Sequence, residues 1–215
     1  MATYLGTHGS RIQNYTTDPD NPNTGEVWYN ATANTIRVEA VTTAGAWSST
    51  PSLNTARDQV AGAGTTTSGL VFGENFGGET EFYNGSSWSE QNDLNTSRRA
   101  LAGAGALGTA ALAFAGNLAS PSPNAATNVT ETWNGTNWTN VNNLNQARSF
   151  ASGTGTNTAA LCMGGATGSG GNPPLSADTE KWNGSNWTEV TDFNNARNDG
   201  AAGGTSTSAL FFGGT

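Results

Sequence analysis

Residues 130–148 read TETWNGTNWTNVNNLNQAR, and the same grammar returns at residues 80–98 (TEFYNGSSWSEQNDLNTSR) and 179–197 (TEKWNGSNWTEVTDFNNAR). Each stretch runs Thr-Glu-x-aromatic-Asn-Gly, then a Trp, then Leu or Phe, an Asn and an Arg. A partial version, WSSTPSLNTAR, spans Trp47 to Arg57. Trp47, Trp88, Trp138 and Trp187 each precede the Leu or Phe by six residues, and Arg57, Arg98, Arg148 or Arg197 by ten. Glu81, Glu131 and Glu180 each lie seven residues before their Trp, whereas Glu26 lies 21 before Trp47. From one Arg to the next the steps are 41, 50 and 49 residues. A period of about 40 to 50 residues marks a repeat architecture in which each period is one supersecondary unit.

Outward from this stretch, each Arg is followed by small residues and then an apolar run ending in Gly: residues 69–73 (GLVFG), 110–116 (AALAFAG), 158–165 (TAALCMGG) and 208–214 (SALFFGG). The order predicts short strands, with the apolar run innermost, the Glu-bearing segment next and a third strand starting at the Trp. The Asn-Gly between the second and third favours a type I′ turn, whose two central residues both need positive φ. A fourth, outer strand is expected between the Trp and the Leu-Asn-x-Ala-Arg motif, or just past it. The runs Ala61–Gly64 and Ala102–Gly105 put small residues near the inner strands, where sheets crowd about an axis. The expected fold class is therefore all-β, a small β-propeller of four blades, at the low end of the roughly 4–8 blades such rings have. It would occupy residues 25–215, after a leader of residues 1–24 whose segment 18–24 (DPDNPNT) has loop composition.

The last repeat runs out at Phe212-Gly213-Gly214-Thr215, directly after its inner strand, while the first lacks an inner strand but has Glu26-Val27-Trp28 and Trp47. The expectation is that the N-terminal segment closes the last blade by supplying its outer strands, with a hairpin around Ala31–Asn34 and residues 35–41 filling the extra length. The alternative is an open ring that a second chain or further sequence completes. Closure by the N-terminal segment would pair the two termini and cover two strand edges that invite aggregation.

This arrangement resembles the kelch repeat: an apolar strand ending in Gly-Gly, then an aromatic, then a Trp a few residues on. The resemblance covers residues 25–215 and departs from the kelch pattern in its Asn-Gly turns and its few large apolar residues. More specifically, the repeats are similar to the Ala- and Gly-rich kelch-like repeats of tailed-phage structural proteins, those of marine phages above all. The opening, from Tyr4-Leu5-Gly6-Thr7-His8-Gly9-Ser10 through Gly25–Asn30 and Thr35–Val38, is similar to the leader that precedes such repeats. The resemblance implies a non-enzymatic virion structural protein, of tail-fibre or other virion-attached type, acting in adhesion or assembly. Its partners would be other virion proteins and a host surface glycan or protein. It would be a homo-oligomer in the particle, made in the host cytoplasm without a signal peptide. The alternative is a cell-surface or secreted carbohydrate-binding propeller of bacterial origin.

Composition narrows the classes further. The formal net charge is −8, with eight Lys plus Arg scattered along the chain. A nucleic-acid binder needs clustered cations to displace phosphate counterions, and no cluster exists, so no nucleic-acid partner is expected. No apolar run is long enough to span a bilayer, so no membrane insertion is expected. Cys162, the single cysteine, sits in an apolar run and reads as a small buried hydrophobe.

The repeated polar residues invite a catalytic interpretation that their repetition argues against. Catalysis needs one asymmetric constellation with distinct roles. A Glu and an Arg present in every repeat are better explained by a task every repeat shares, such as an Arg–carboxylate pair anchoring a loop. No enzymatic activity, cofactor or metal is expected. His8 is the single histidine, and the oxygens of Asp18, Asp20, Asn21 and Asn23 lack the spacing of a calcium loop. Trp47, Trp88, Trp138 and Trp187 are expected to pack between blades. Tyr83, Trp133 and Trp182, beside the Asn-Gly turns, are the expected exposed aromatics and so candidate glycan or partner contacts. The segments after the Gly pairs vary in length and carry Asn117, Pro121, Pro123, Pro173 and Pro174. Insertions on one face often form the binding face of a repeat protein, which makes these further candidates.

Overall fold

The computed structural model describes residues 12–20, 26–38, 49–74, 77–118, 125–168 and 173–215. These residues form β-strands, turns and loops, with no helix among them. The chain divides into two compact units, residues 1–49 and 50–215, beyond the composition break at residue 24.

In the first unit, β1 (Gln13–Tyr15) runs parallel to β2 (Val27–Asn30), which turns through residues 31–34 into the antiparallel β3 (Thr35–Val38). This is the hairpin expected around Ala31–Asn34. Asn34 takes a left-handed φ of 56°, which Asn tolerates better than most residues. Asp18 holds the hairpin: Asn30 Nδ2 and Trp28 Nε1 donate to its Oδ1 at 2.8 and 2.9 Å, and Arg37 stands 3.5 Å from its other oxygen. The Asn30 and Trp28 donors hold the Asp18 carboxyl below the usual aspartate range.

Among the described residues the second unit contains five antiparallel sheets, four of them successive along the chain and the fifth a short β8–β11 pair. The first comprises β4 (Ala61–Thr65), β5 (Ser68–Phe72), β6 (Thr80–Tyr83) and β7 (Trp88–Glu90). A short strand β8 (Arg98–Arg99) leads into β9 (Ala102–Leu107) and β10 (Ala110–Phe114) of the second sheet. β11 (Asn117–Leu118) pairs back with β8, and β12 (Thr130–Trp133) and β13 (Trp138–Val141) complete the second sheet. The third has β14 (Ser152–Thr156), β15 (Ala159–Met163), β16 (Thr179–Trp182) and β17 (Trp187–Val190). The fourth has two strands among the described residues, β18 (Gly200–Thr205) and β19 (Ser208–Gly213).

The first three sheets have the expected four strands each, but the assignment of the strands differs. The small-residue run is itself the first strand of each sheet, and the Leu-Asn-x-Ala-Arg motif is a bend between sheets, not an outer strand. The reason is steric. The first strands pack backbone against backbone: a Cβ on Gly103 would stand 3.0 Å from Gly62 O, and one on Gly153 only 2.4 Å from Gly103 O. Residues this small carry little β-propensity, so the packing of the sheets against each other makes them strands.

The Asn-Gly turns also differ from expectation. Gly85, Gly135 and Gly184 have φ of 93°, 93° and 94°, but the preceding Asn residues are not at positive φ, so the turns are not type I′. Each is a four-residue loop closed by the Asn side chain: Asn84 Oδ1 accepts from Ser86 N and Ser87 N at 2.9 and 3.0 Å, and Asn134 and Asn183 do the same.

Aromatic rings join consecutive sheets. Trp138 packs edge-on to Phe72 of the sheet before it, and Trp187 likewise to Phe114, both at 4.9 Å between centroids. Each indole also donates across the same junction, Trp138 Nε1 to Thr80 Oγ1 and Trp187 Nε1 to Thr130 Oγ1, both at 3.0 Å. At one end of the junctions, four equivalent residues, Gln59, Ala100, Phe150 and Asp199, share a left-handed backbone with φ of 53°, 49°, 54° and 54°. Ala100 N donates to Gln59 O, Phe150 N to Ala100 O and Asp199 N to Phe150 O, at 2.9, 2.8 and 3.1 Å. All four line one cavity of about 240 Å³, and a second, of about 510 Å³, is lined by glycines of all four first strands.

Candidate functional site

The repeated Glu and Arg meet in one construction, made three times. The bend before the first sheet presents two successive amides to Glu81: Asn54 N donates to Oε2 at 2.8 Å and Thr55 N to Oε1 at 3.3 Å. The Arg57 guanidinium pairs with Oε1 of the same carboxylate. The bend between the first and second sheets treats Glu131 identically, with Asn95 N at 2.7 Å, Thr96 N at 3.2 Å and Arg98 Nη2 at 3.3 Å. Between the second and third sheets, Asn145 N reaches Glu180 Oε2 at 2.8 Å, Gln146 N reaches Oε1 at 3.4 Å, and Arg148 pairs with Oε1. The carboxylates of Glu81, Glu131 and Glu180 are buried, and so are the guanidinium groups that meet them. Burial pushes Arg98 down to about 10, which still leaves it charged at neutral pH. Charge-assisted bonds to both carboxylate oxygens fix each bend to the third strand of the sheet that follows.

The aromatic candidates fare differently. Trp133 and Trp182 are buried at 2% exposure each, which corrects the expectation that they face solvent. They lie directly opposite Trp138 and Trp187 across their strand pairs, with ring centroids 5.3 Å apart, and so join the cores between sheets. Tyr83 and its partner Trp88, 5.0 Å apart, are half-buried. Asn117 is buried in β11, opposite Arg99, and is not a surface contact. Pro173 is half-buried and Pro174 exposed; the Pro174 carbonyl accepts from Thr167 N at 2.8 Å. Pro121, Pro123 and Trp47 lie outside the described residues.

Cys162 is buried, and desolvation pushes its thiol up to about 12, so it stays protonated and packs as a small apolar group. Asp178, Glu189 and Asp192 bring carboxylate oxygens within 4.8 Å of one another on the third sheet, the latter two exposed. Asp192 Oδ1 accepts from Thr179 N at 3.0 Å.

Among the described residues the fourth sheet lacks what the others have. Leu210 and Phe212 occupy the positions of Leu70 and Phe72, by the matching pairs Ala201↔Phe212 and Ala61↔Phe72, yet are 75% and 60% exposed against 1% and 0%. Among the described residues no carboxylate reaches Arg197; its guanidinium donates to Gly213 O at 3.3 Å and lies 5.9 Å from the Phe211 ring. Thr179 Oγ1, the counterpart of the Thr80 and Thr130 hydroxyls, is buried without a partner. The role of these threonines was missed from the sequence, although their fixed place before each Glu was the available signal.

Comparison with known protein families and with curated proteins finds no match for this chain.

Proposed function

We propose that this chain is a non-enzymatic structural protein of a phage particle, a kelch-like propeller of four blades on a tail fibre or another virion-attached part, acting in adhesion or assembly. The observation that carries the scaffold reading is the threefold Glu–Arg construction: the residues that most resemble an active site are consumed, sheet after sheet, in anchoring the bends between sheets. The four-blade reading is supported by the three bonds linking Gln59, Ala100, Phe150 and Asp199 around one cavity. In it, the fourth blade is β18 and β19 completed by strands from outside residues 50–215. The phage context rests on the resemblance of the repeats and leader. Fold alone does not settle function, and the particle supplies the test. Purified particles analysed by mass spectrometry and immunogold labelling should contain the chain in fixed proportion to other structural proteins. Recovery only from the soluble fraction of lysed cells would overturn the proposal.

A second reading, a carbohydrate-binding propeller, is favoured by the half-buried Tyr83–Trp88 pair, the kind of ring surface on which a sugar stacks. A glycan-array signal from isolated chain, lost in Tyr83→Ala, would support it.

A further inference from the structure

Two junctions between successive sheets are built alike, Trp138 lying on Phe72 and Trp187 on Phe114. The chain carries both halves of a third such junction and does not join them. One half is on the fourth sheet, where Leu210 and Phe212 are exposed. The other is on the first sheet: Trp88 stands opposite Tyr83 as Trp138 stands opposite Trp133 and Trp187 opposite Trp182. β4 packs against β9, β9 against β14 and β14 against β18, but β18 does not pack in this way against β4. The relay of bonds from Gln59 to Asp199 likewise has no fourth bond from Gln59 N back to Asp199 O among the described residues.

The polar groups at this seam agree with its being built for packing. The Trp138 and Trp187 N–H groups need the Thr80 and Thr130 hydroxyls of the sheet before. The Trp88 N–H is bonded instead to Pro51 O at 3.0 Å. It therefore asks no hydroxyl of a preceding sheet, and the fourth sheet has no threonine-bearing third strand among the described residues to offer one. Val71 and Trp88 also line the cavity of about 510 Å³, whereas their counterparts on the second and third sheets do not, so this face of the first sheet is open.

We infer that the Leu210–Phe212 face of one copy of this chain docks on the Tyr83–Trp88 face of a second copy, head to tail. The inference takes the sheets as blades, as above, with the ring open at this seam; it does not depend on membership of a particle. Trp88 of one copy lies on Phe212 of the other, and Leu210 meets Val71 and Tyr83. Leu70 and Phe72 share one core with Ala113, Trp133 and Trp138 in that same arrangement. The partner is a second copy because the matching face is this chain's own first sheet, in the register used twice inside it. Docking also takes Leu210 and Phe212 out of water, where they are among the most exposed large apolar side chains of the described residues. The two faces are different patches, so a pair of copies keeps one of each free and grows into a closed ring or an open fibre. Dilution separates the copies with their sheets intact, so unfolding of dilute chain reports the monomer.

The test is sedimentation velocity on the full chain over a range of concentrations. The parent should shift from the mass of one chain to that of two or more as concentration rises. Phe212→Asp blocks one face and Trp88→Ala the other, each variant shown folded by circular dichroism; if Trp88→Ala does not fold, Tyr83→Lys blocks the same face. Each variant alone should stay a monomer where the parent associates. Mixed in equal amounts, the two should form pairs and nothing larger, since each supplies the face the other lacks. A parent that stays monomeric at every concentration, its seam closed within one chain, overturns the inference. So does association of the parent that either variant retains, or variants that fail to pair when mixed. None of these outcomes touches the particle test, so the two readings fail separately.

Discussion

The second and fourth sheets both open on a Gly- and Ala-rich strand paired with an apolar one, and differ in almost everything that follows from burial. In the second, Leu112 and Phe114 are sealed by Trp187 and Trp182 of the next sheet, and Arg98 by Glu131. In the fourth, Leu210 and Phe212 face outward, and among the described residues Arg197 has a backbone oxygen and a ring beside it in place of a carboxylate. The comparison separates what a strand pair does alone from what its neighbours do to it. β18 and β19 form all six ladder pairs, with β18 held on the third sheet by bonds from Ser152 Oγ to Gly200 O and from Thr154 Oγ1 to Gly204 O. The apolar seal and the carboxylate anchor, by contrast, each need strands from a third and fourth position.

The widest separation should come from the anchors. Arg148→Ala strands the buried Glu180 carboxylate and should lower unfolding free energy by about 3–5 kcal/mol. Arg197→Ala, with no carboxylate to strand, should change it by less than about 0.5 kcal/mol. Urea unfolding of the two variants measures the difference, and equal losses would mean that Arg197 has a buried carboxylate after all. The apolar seal is the next lever. Phe114→Ala should cost about 3–5 kcal/mol in the same assay, as large core truncations do. Phe212→Ala should leave stability within about 0.5 kcal/mol of the parent.

Glycine contacts sharpen the contrast on a smaller scale. A Cβ on Gly153 meets backbone of the neighbouring sheet, so Gly153→Ala should destabilise by about 1–3 kcal/mol through overpacking. Gly203 has nothing within 4 Å, and Gly203→Ala should be neutral or stabilising by up to about 1 kcal/mol through the unfolded chain. The melting temperatures of the pair should move apart; a joint fall would place unseen contacts around β18. The smallest effect belongs to the first unit. Because the folded state depresses the Asp18 pKa, its contribution is present above the ordinary aspartate value and is lost as pH falls through the folded one. The Trp28 indole proton, followed by NMR, should shift across that acidic interval, while Trp138 and Trp187, bonded to threonines, should not follow. Asp18→Asn should abolish the shift.

How much of this was legible from residues alone can be judged from particular positions. The interval from Glu131 to Trp138 announced a hairpin, and the shared spacing of Glu and Arg announced a repeated task. The direction in which Trp133 points was not legible, because alternation along a strand assigns faces only once one face is known to be buried. In the second and third sheets both faces meet other sheets, so the ring beside each of their turns is inside. The glycine- and alanine-rich runs were equally opaque as strands, since nothing in their own propensity makes them so. The Thr80 and Thr130 hydroxyls were visible as a pattern but not as acceptors, their donors lying 58 and 57 residues further on.

The order of residues by itself determined that the fold is all-β, at what interval the motif returns, and which side chains recur, because periodicity and turn chemistry are local and survive without coordinates. Only the tertiary structure decided which strand is first, which aromatics are covered, and that three bends hold a glutamate while the fourth holds none among the described residues. Those outcomes depend on how one sheet lies against the next. The free energy of burying a ring or pairing a charge is set by neighbours distant in the chain, not by the residues that carry the motif.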